Sequence, residues 1–131
     1  MTAHWNNEKI KVFVKNTLGC GCPEKVFEKI DVSKLLTPEH EITRIVVGDT
    51  LLIYVIHPEL TGNFADGVEA IGLAGKMDRD TNHYNRFRLV VSGFDDELKQ
   101  GEAAGCFAKL FNTEEKMHIH FVDQELVEEL S

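Results

Sequence analysis

Two cysteines separated by one glycine, Cys20 and Cys22, are the residues in this sequence whose types and spacing best suit chemistry. Gly21 has no Cβ, so a loop can fold tightly there and bring both thiols to one ion or one bond. Pro23 suits the first position of a helix, which places Cys22 at the helix N-cap. The positive end of a helix lowers the pKa of a thiol. Thiolate is the form that soft-metal ligands and thiol nucleophiles both require.

This cysteine pair is compatible with three interpretations, which the sequence leaves open. In the first, the sulfur atoms of Cys20 and Cys22 bind a soft metal ion, Zn²⁺ or Cu(I). The placement resembles that of the paired cysteines in ferredoxin-like metallochaperone domains, where two residues separate the thiols. In the second, both thiols are catalytic and cycle between dithiol and disulfide, in a loop similar to the Cys-x-x-Cys loop of thioredoxin-type proteins. In the third, both cysteines are small residues in a tight turn.

Two histidines extend the predicted metal site. His118 and His120 alternate with apolar residues, so we expect them on one face of a strand, where two imidazoles can share a metal ion. If this strand lies beside the first strand, both histidines can join Cys20 and Cys22 as ligands. The alternative is that an alternating strand simply presents polar side chains to solvent.

Three arginines surround a polar segment near residue 80. Arg79, Arg86 and Arg88 can together bind a small carboxylate or phosphate, because guanidinium groups form paired hydrogen bonds with such anions. The alternative is a solvated loop flanked by surface arginines. No glycine-rich nucleotide-binding motif accompanies them.

The elements that position these residues follow from hydrophobic periodicity. The first six are predicted as a strand over 10–15, a helix from 23, strands over 42–47 and 51–56, a helix over 66–77 and a strand over 87–92. This βαββαβ order predicts a ferredoxin-like α+β sandwich, with the first and third strands in the middle of an antiparallel sheet. A thioredoxin-like fold is the alternative. A helix over 96–111, a strand over 117–122 and a helical segment over 125–130 form a C-terminal αβα extension.

Glycines in the second predicted helix have a packing interpretation. They lie at positions 67, 72 and 75, just after Gly62, and we expect them to allow close approach between the helix and the sheet. Binding of a ligand against the exposed backbone is the alternative.

Composition limits the classes of function. The 131 residues contain 14 Lys and Arg against 22 Asp and Glu, a net charge of −8, which argues against nucleic acid and anionic membranes as partners. The length predicts a single domain over 1–131. Three cysteines form no disulfide framework, so we expect a cytoplasmic protein in which Cys106 is a small buried residue.

An open sheet face is a consequence of the predicted sandwich. Phe13, Leu52, Tyr54 and Ile56 would point there, so we expect either the C-terminal elements or a homodimer to cover them. The sequence thus predicts a small protein whose Cys-Gly-Cys loop binds Zn²⁺ or Cu(I) or performs dithiol chemistry. The alternative is a non-enzymatic, homodimeric ligand-binding or interaction module with structural cysteines. Neither alternative identifies a substrate.

Overall fold

A computed structural model describes residues 7–16, 24–36, 41–56, 64–93, 97–111, 117–123 and 125. This part of the chain contains three α-helices, one short 3₁₀ helix (Glu24–Glu28) and five strands. In chain order the others are α1 (Asn7–Asn16), β1 (Ile30–Leu36), β2 (Glu41–Val47), β3 (Leu51–Ile56), α2 (Phe64–Asn82), β4 (Arg86–Ser92), α3 (Glu97–Leu110) and β5 (Met117–Val122). The predicted α+β class is confirmed.

The five strands form one mixed sheet in the order β1-β2-β3-β4-β5. β1, β2 and β3 are antiparallel neighbours, whereas β4 and β5 run parallel to β3. The two parallel connections pass through α2 and α3, which contact each other. Right-handed crossovers place both helices on the same face of the sheet.

Both faces of the sheet carry a hydrophobic core. Side chains alternate between the faces, so one face packs against α2 and α3 while the other packs against α1. β3 is buried at every position, as predicted for a central strand. Leu52, Tyr54 and Ile56 lie in the core under α2 and α3, and Phe13 lies in the core on the α1 side. The homodimer stays a prediction, but the exposed apolar face on which it rested is covered within the chain.

The first predicted strand is wrong, because residues 10–15 belong to helix α1. Ile10, Phe13 and Val14 are buried, whereas Val12 is 54% exposed. That burial pattern follows the i, i+3, i+4 spacing of one helix face. The segment also alternates apolar residues, which is why its sequence predicted a strand.

The first predicted helix is also wrong over most of its length. The 3₁₀ helix ends at Glu28, and β1 begins at Ile30. Phe27 is buried and packs on the α1 side of the sheet. Val32 and Leu35 are half-buried, and Asp31 and Ser33 are exposed, so β1 has the mixed exposure of an edge strand.

The ferredoxin-like sandwich stays a prediction, and the described strands can be compared with its sheet. That prediction begins with a strand and places the first and third strands in the middle of an antiparallel sheet. The described chain begins with a helix, its strands are ordered as they occur in sequence, and two of the four strand pairs are parallel. The α+β class is the level at which prediction and structure agree.

The later elements match their predictions closely. The hairpin between β2 and β3 turns at Gly48 and Asp49, both with φ near +60°, a conformation typical of hairpin turns. β4, α3 and β5 agree with prediction to within one or two residues. Most of the predicted last helix, 125–130, lies outside the described residues. Across the described residues, no helix is both long and apolar enough to cross a membrane.

Two glycines of helix α2 allow close approach to its neighbours. A Cβ on Gly75 would overlap the ring of Phe87, and one on Gly72 would lie 2.8 Å from Cε2 of Phe111. Close helix–sheet packing is thereby confirmed at Gly75, whereas Gly72 lies close to Phe111 at the end of α3 rather than to the sheet. The helix runs past the predicted end at residue 77, where Met77 is 70% exposed.

Candidate functional site

The predicted catalytic and metal-binding cysteines, Cys20 and Cys22, lie outside the described residues, so their roles stay predictions. Cys106 lies in α3 and is exposed, so the prediction that it is buried is wrong. Its position at an exposed point of α3 follows from the inward direction of Ala103 and Phe107. Among the described residues, no group of three or more His, Cys, Asp and Glu side chains could hold a metal ion.

The two histidines lie on β5, which pairs with β4. The predicted neighbour of this strand, residues 10–15, is helix α1. His118 is exposed and lies opposite Arg88, whereas His120 is half-buried and lies opposite Val90. The register therefore brings both histidines to the strand that carries two of the predicted anion-binding arginines.

The three predicted arginines do not share one site. Arg86 and Arg88 lie two residues apart on β4 and so point to the same face of the sheet, the α1 face that also includes Val90. Arg79 belongs to α2, which packs against the opposite face. Its Nε and Nη2 donate to Oδ1 of Asp80 at 3.2 and 3.0 Å.

Three buried polar atoms without a hydrogen-bond partner belong to residues on the α1 face of β4 and β5. They are Nε of Arg88, Oγ of Ser92 and Nε2 of His120. His120 is opposite Val90, the residue midway between Arg88 and Ser92, so the register places its ring between the other two side chains. We call these three residues the β4–β5 polar cluster. Arg88 is 9% exposed and Ser92 is 2% exposed.

The electrostatics of the cluster are those of a cation without a counter-charge. Burial lowers the pKa of Arg88, and the neighbouring charge of Arg86 lowers it further. Burial, followed by the charge of Arg88, lowers the pKa of His120, so the imidazole is neutral at neutral pH. Within the described part of the chain, no carboxylate acts on Arg88. An unpaired buried charge is strongly destabilising, which makes this arrangement suited to an anion.

A half-buried arginine of β2 shows the opposite arrangement. Arg44 donates to both carboxylate oxygens of Asp78, from Nε at 2.7 Å and from Nη2 at 2.9 Å. The same carboxylate accepts from Tyr54 Oη at 2.6 Å and Asn82 Nδ2 at 2.8 Å. Burial alone would raise the pKa of Asp78, but these hydrogen bonds hold it below its usual value. The carboxylate of Asp78 and the guanidinium of Arg44 thus hydrogen-bond to each other within the chain. This network links α2 to the sheet.

The cluster extends from the amino half of β4 to the carboxyl end of that strand. Ser92 is the last residue of β4, and Gly93 has φ +73° and donates from its backbone N–H to the carbonyl of Val122 at 3.0 Å. Ligands of open sheets with parallel strands commonly bind outside this end. Within the cluster, Ser92 lies at this end of β4, whereas Arg88 is the third residue of the strand.

Sequence reasoning identified Arg88 and His120 but assigned them to different sites, and it missed Ser92. The available signal was the alternation in β4, where Arg86, Arg88 and Ser92 occupy one face of an otherwise apolar strand. Comparisons of this chain with protein-family models, with curated proteins and with solved structures found no match.

Proposed function

We propose that this protein is a ligand-binding module that binds a small anion at the β4–β5 polar cluster. The observation that carries the proposal is the guanidinium of Arg88, which is buried beside another cation and has no hydrogen-bond partner at Nε. A bound anion would supply both the missing acceptor and the missing counter-charge. Hydrogen bonds between a guanidinium and an oxyanion are among the strongest that proteins form.

Each residue of the cluster has a distinct role in this proposal. Arg88 contributes the positive charge and the Nε–H donor. Ser92 contributes a hydroxyl, which can donate to an oxyanion. His120 contributes a neutral ring, whose Nε2 donates when that nitrogen carries the proton. The set consists of donors around one cation, which is the chemistry of binding a carboxylate or a phosphate group.

Isothermal titration calorimetry with inorganic phosphate and with acetate tests the proposal. We expect one saturable site for at least one of these anions, and a loss of at least about tenfold in affinity in Arg88→Met, as for a charge-assisted hydrogen bond. Lys29→Met is the matched control, because Lys29 is exposed and pairs with Asp49 at 2.9 Å. Absence of saturable binding to the wild type, or equal affinity in Arg88→Met, would exclude the proposed site.

The cysteine prediction is independent of this proposal. Binding of Zn²⁺ or Cu(I) by Cys20 and Cys22, or dithiol chemistry at these residues, involves a different segment of the chain and stays a prediction. The cytoplasmic location and the homodimer stay predictions as well.

A further inference from the structure

We infer that the anion bound at the β4–β5 polar cluster is a tetrahedral dianion of the phosphate type, and that Arg86 is the residue that selects it over monoanions. This inference rests on the proposed function and adds a ligand class to it.

Arg86 is held beside Arg88 by the backbone. The carbonyl of Thr50, in the β2–β3 turn, accepts from the backbone N–H of Asn85 at 2.8 Å and from that of Arg86 at 2.9 Å. Arg86 then pairs with Leu51 and Arg88 with Ile53 along β3. Two arginines separated by one residue on the same strand face therefore cannot move apart without breaking the sheet.

The positive charges of Arg86 and Arg88 on the α1 face of β4 add to two. Arg86 and Arg88 are both cations, and His120 is neutral at neutral pH. Arg86 is half-buried, so it lies where its charge can act on a ligand that also contacts the more deeply buried Arg88. A monocarboxylate would leave one cation uncompensated. A phosphate monoester, which carries a charge of about −1.5 to −2 at pH 7, balances both.

The donors also match a phosphate group. Three separate residues, Arg88, Ser92 and His120, each offer one buried and unpartnered atom. A phosphoryl group presents three strong acceptor oxygens, one more than a carboxylate, so it retains oxygens for Ser92 or His120 after accepting from Arg88. Acceptance from His120 requires the tautomer that carries its proton on Nε2.

A comparison of sulfate with methanesulfonate tests the effect of ligand charge at constant shape, because both anions are tetrahedral but only sulfate is a dianion. We expect calorimetry to show sulfate and inorganic phosphate binding at least about tenfold more tightly than methanesulfonate and acetate, as for one additional charge-assisted contact. Arg86→Gln should remove this preference by weakening dianion binding, while acetate affinity changes less than about twofold. Arg86→Lys should restore part of the preference, because it restores the charge without the planar fork.

The outcomes distinguish this inference from the proposed function. Anions that bind with no preference for charge, or an Arg86→Gln variant that weakens all anions equally, would overturn the dianion assignment and leave anion binding intact. Failure of every anion to bind would overturn both. Methyl phosphate identifies the source of the group: affinity equal to that of inorganic phosphate indicates a phosphate ester, and weaker affinity indicates the free ion. Both results retain the dianion.

Discussion

Replacement of Arg88 by Met is expected to stabilise the unliganded protein, although Arg88 lies in the sheet core. The side chain is 9% exposed, its Nε has no hydrogen-bond partner, and burial, followed by the charge of Arg86, lowers its pKa. Met is unbranched and of similar length, so it can fill the same space without a charge. The equivalent substitution Arg44→Met is expected to destabilise the protein, since it would leave the half-buried carboxylate of Asp78 without its cation.

The size of each change in unfolding free energy depends on whether the replaced arginine has a counter-charge. Replacing buried ionic groups by well-packed apolar ones can stabilise a protein by about 1–4 kcal/mol, and the absence of any pairing energy at Arg88 favours a gain in this range. Removing one partner of a buried ion pair costs about 3–5 kcal/mol. The side chains of Arg44 and Asp78 are 20% and 15% exposed, so a cost of about 2–4 kcal/mol is expected there.

Thermal unfolding followed by circular dichroism, in buffer without phosphate or sulfate, measures both effects. Each kcal/mol corresponds to a change in Tm of roughly 2–8 °C for domains of about this size. Added phosphate should raise the Tm of the wild type but not that of Arg88→Met, and saturation to 100 times Kd corresponds to about 2.7 kcal/mol. A fall in the Tm of Arg88→Met without phosphate, comparable to that of Arg44→Met, would show that the Arg88 charge is compensated within the chain and would refute this reasoning.

Two further predictions concern packing and pH. Gly75→Ala should lower the free energy of unfolding by about 1–2 kcal/mol, because overlap with the ring of Phe87 outweighs the helix-propensity gain, whereas Gly101→Ala, with open space around its Cβ, should raise it by about 1 kcal/mol. Urea unfolding of both variants measures the difference, and equal effects would contradict the close approach. The unfolding free energy should fall below about pH 6.5, because the unfolded chain protonates His120 more readily than the folded chain does. It should fall again below about pH 4 as Asp78 loses the stabilisation that its lowered pKa represents. Urea titrations across this range should show the first decrease reduced in His120→Gln, and an unchanged profile in that variant would contradict the burial of a neutral imidazole.

The helices and strands that were predicted correctly are those whose hydrophobic pattern fits either a helix or a strand, but not both. The β2–β3 hairpin, β4, α3 and β5 combine a clear period with turn residues such as Gly48 and Asp49. α1 was predicted as a strand because Ile10 and Val14 fit both a period of two and a helical spacing. The last turns of α2 look like a polar loop, and they are helical where Asp78 pairs with Arg44 of β2, a contact that no local pattern reveals.

The candidate site was predicted only in fragments. The sequence predicted Arg88 as an anion-binding residue and His120 as a metal ligand. It did not place them side by side, because that proximity depends on the parallel pairing of β4 with β5. Ser92 lies at the end of an apolar strand, and its type alone suggests no role. These three residues form a candidate site because their polar atoms are buried without hydrogen-bond partners. Burial depends on the tertiary structure rather than on sequence spacing.

The division of the sheet into an antiparallel and a parallel half has a consequence for folding kinetics. β2 and β3 are joined by a short turn, so their pairing requires little loop closure, whereas β4 and β5 must each close a connection that contains a helix. We therefore expect β4 and β5 to complete their pairing after the rate-limiting step, with low φ-values at Ser92 and His120. A ligand that bridges these two strands should then slow unfolding while leaving the refolding rate nearly unchanged. Ligand binding at the β4–β5 polar cluster would then determine how long the native state persists rather than how quickly it forms.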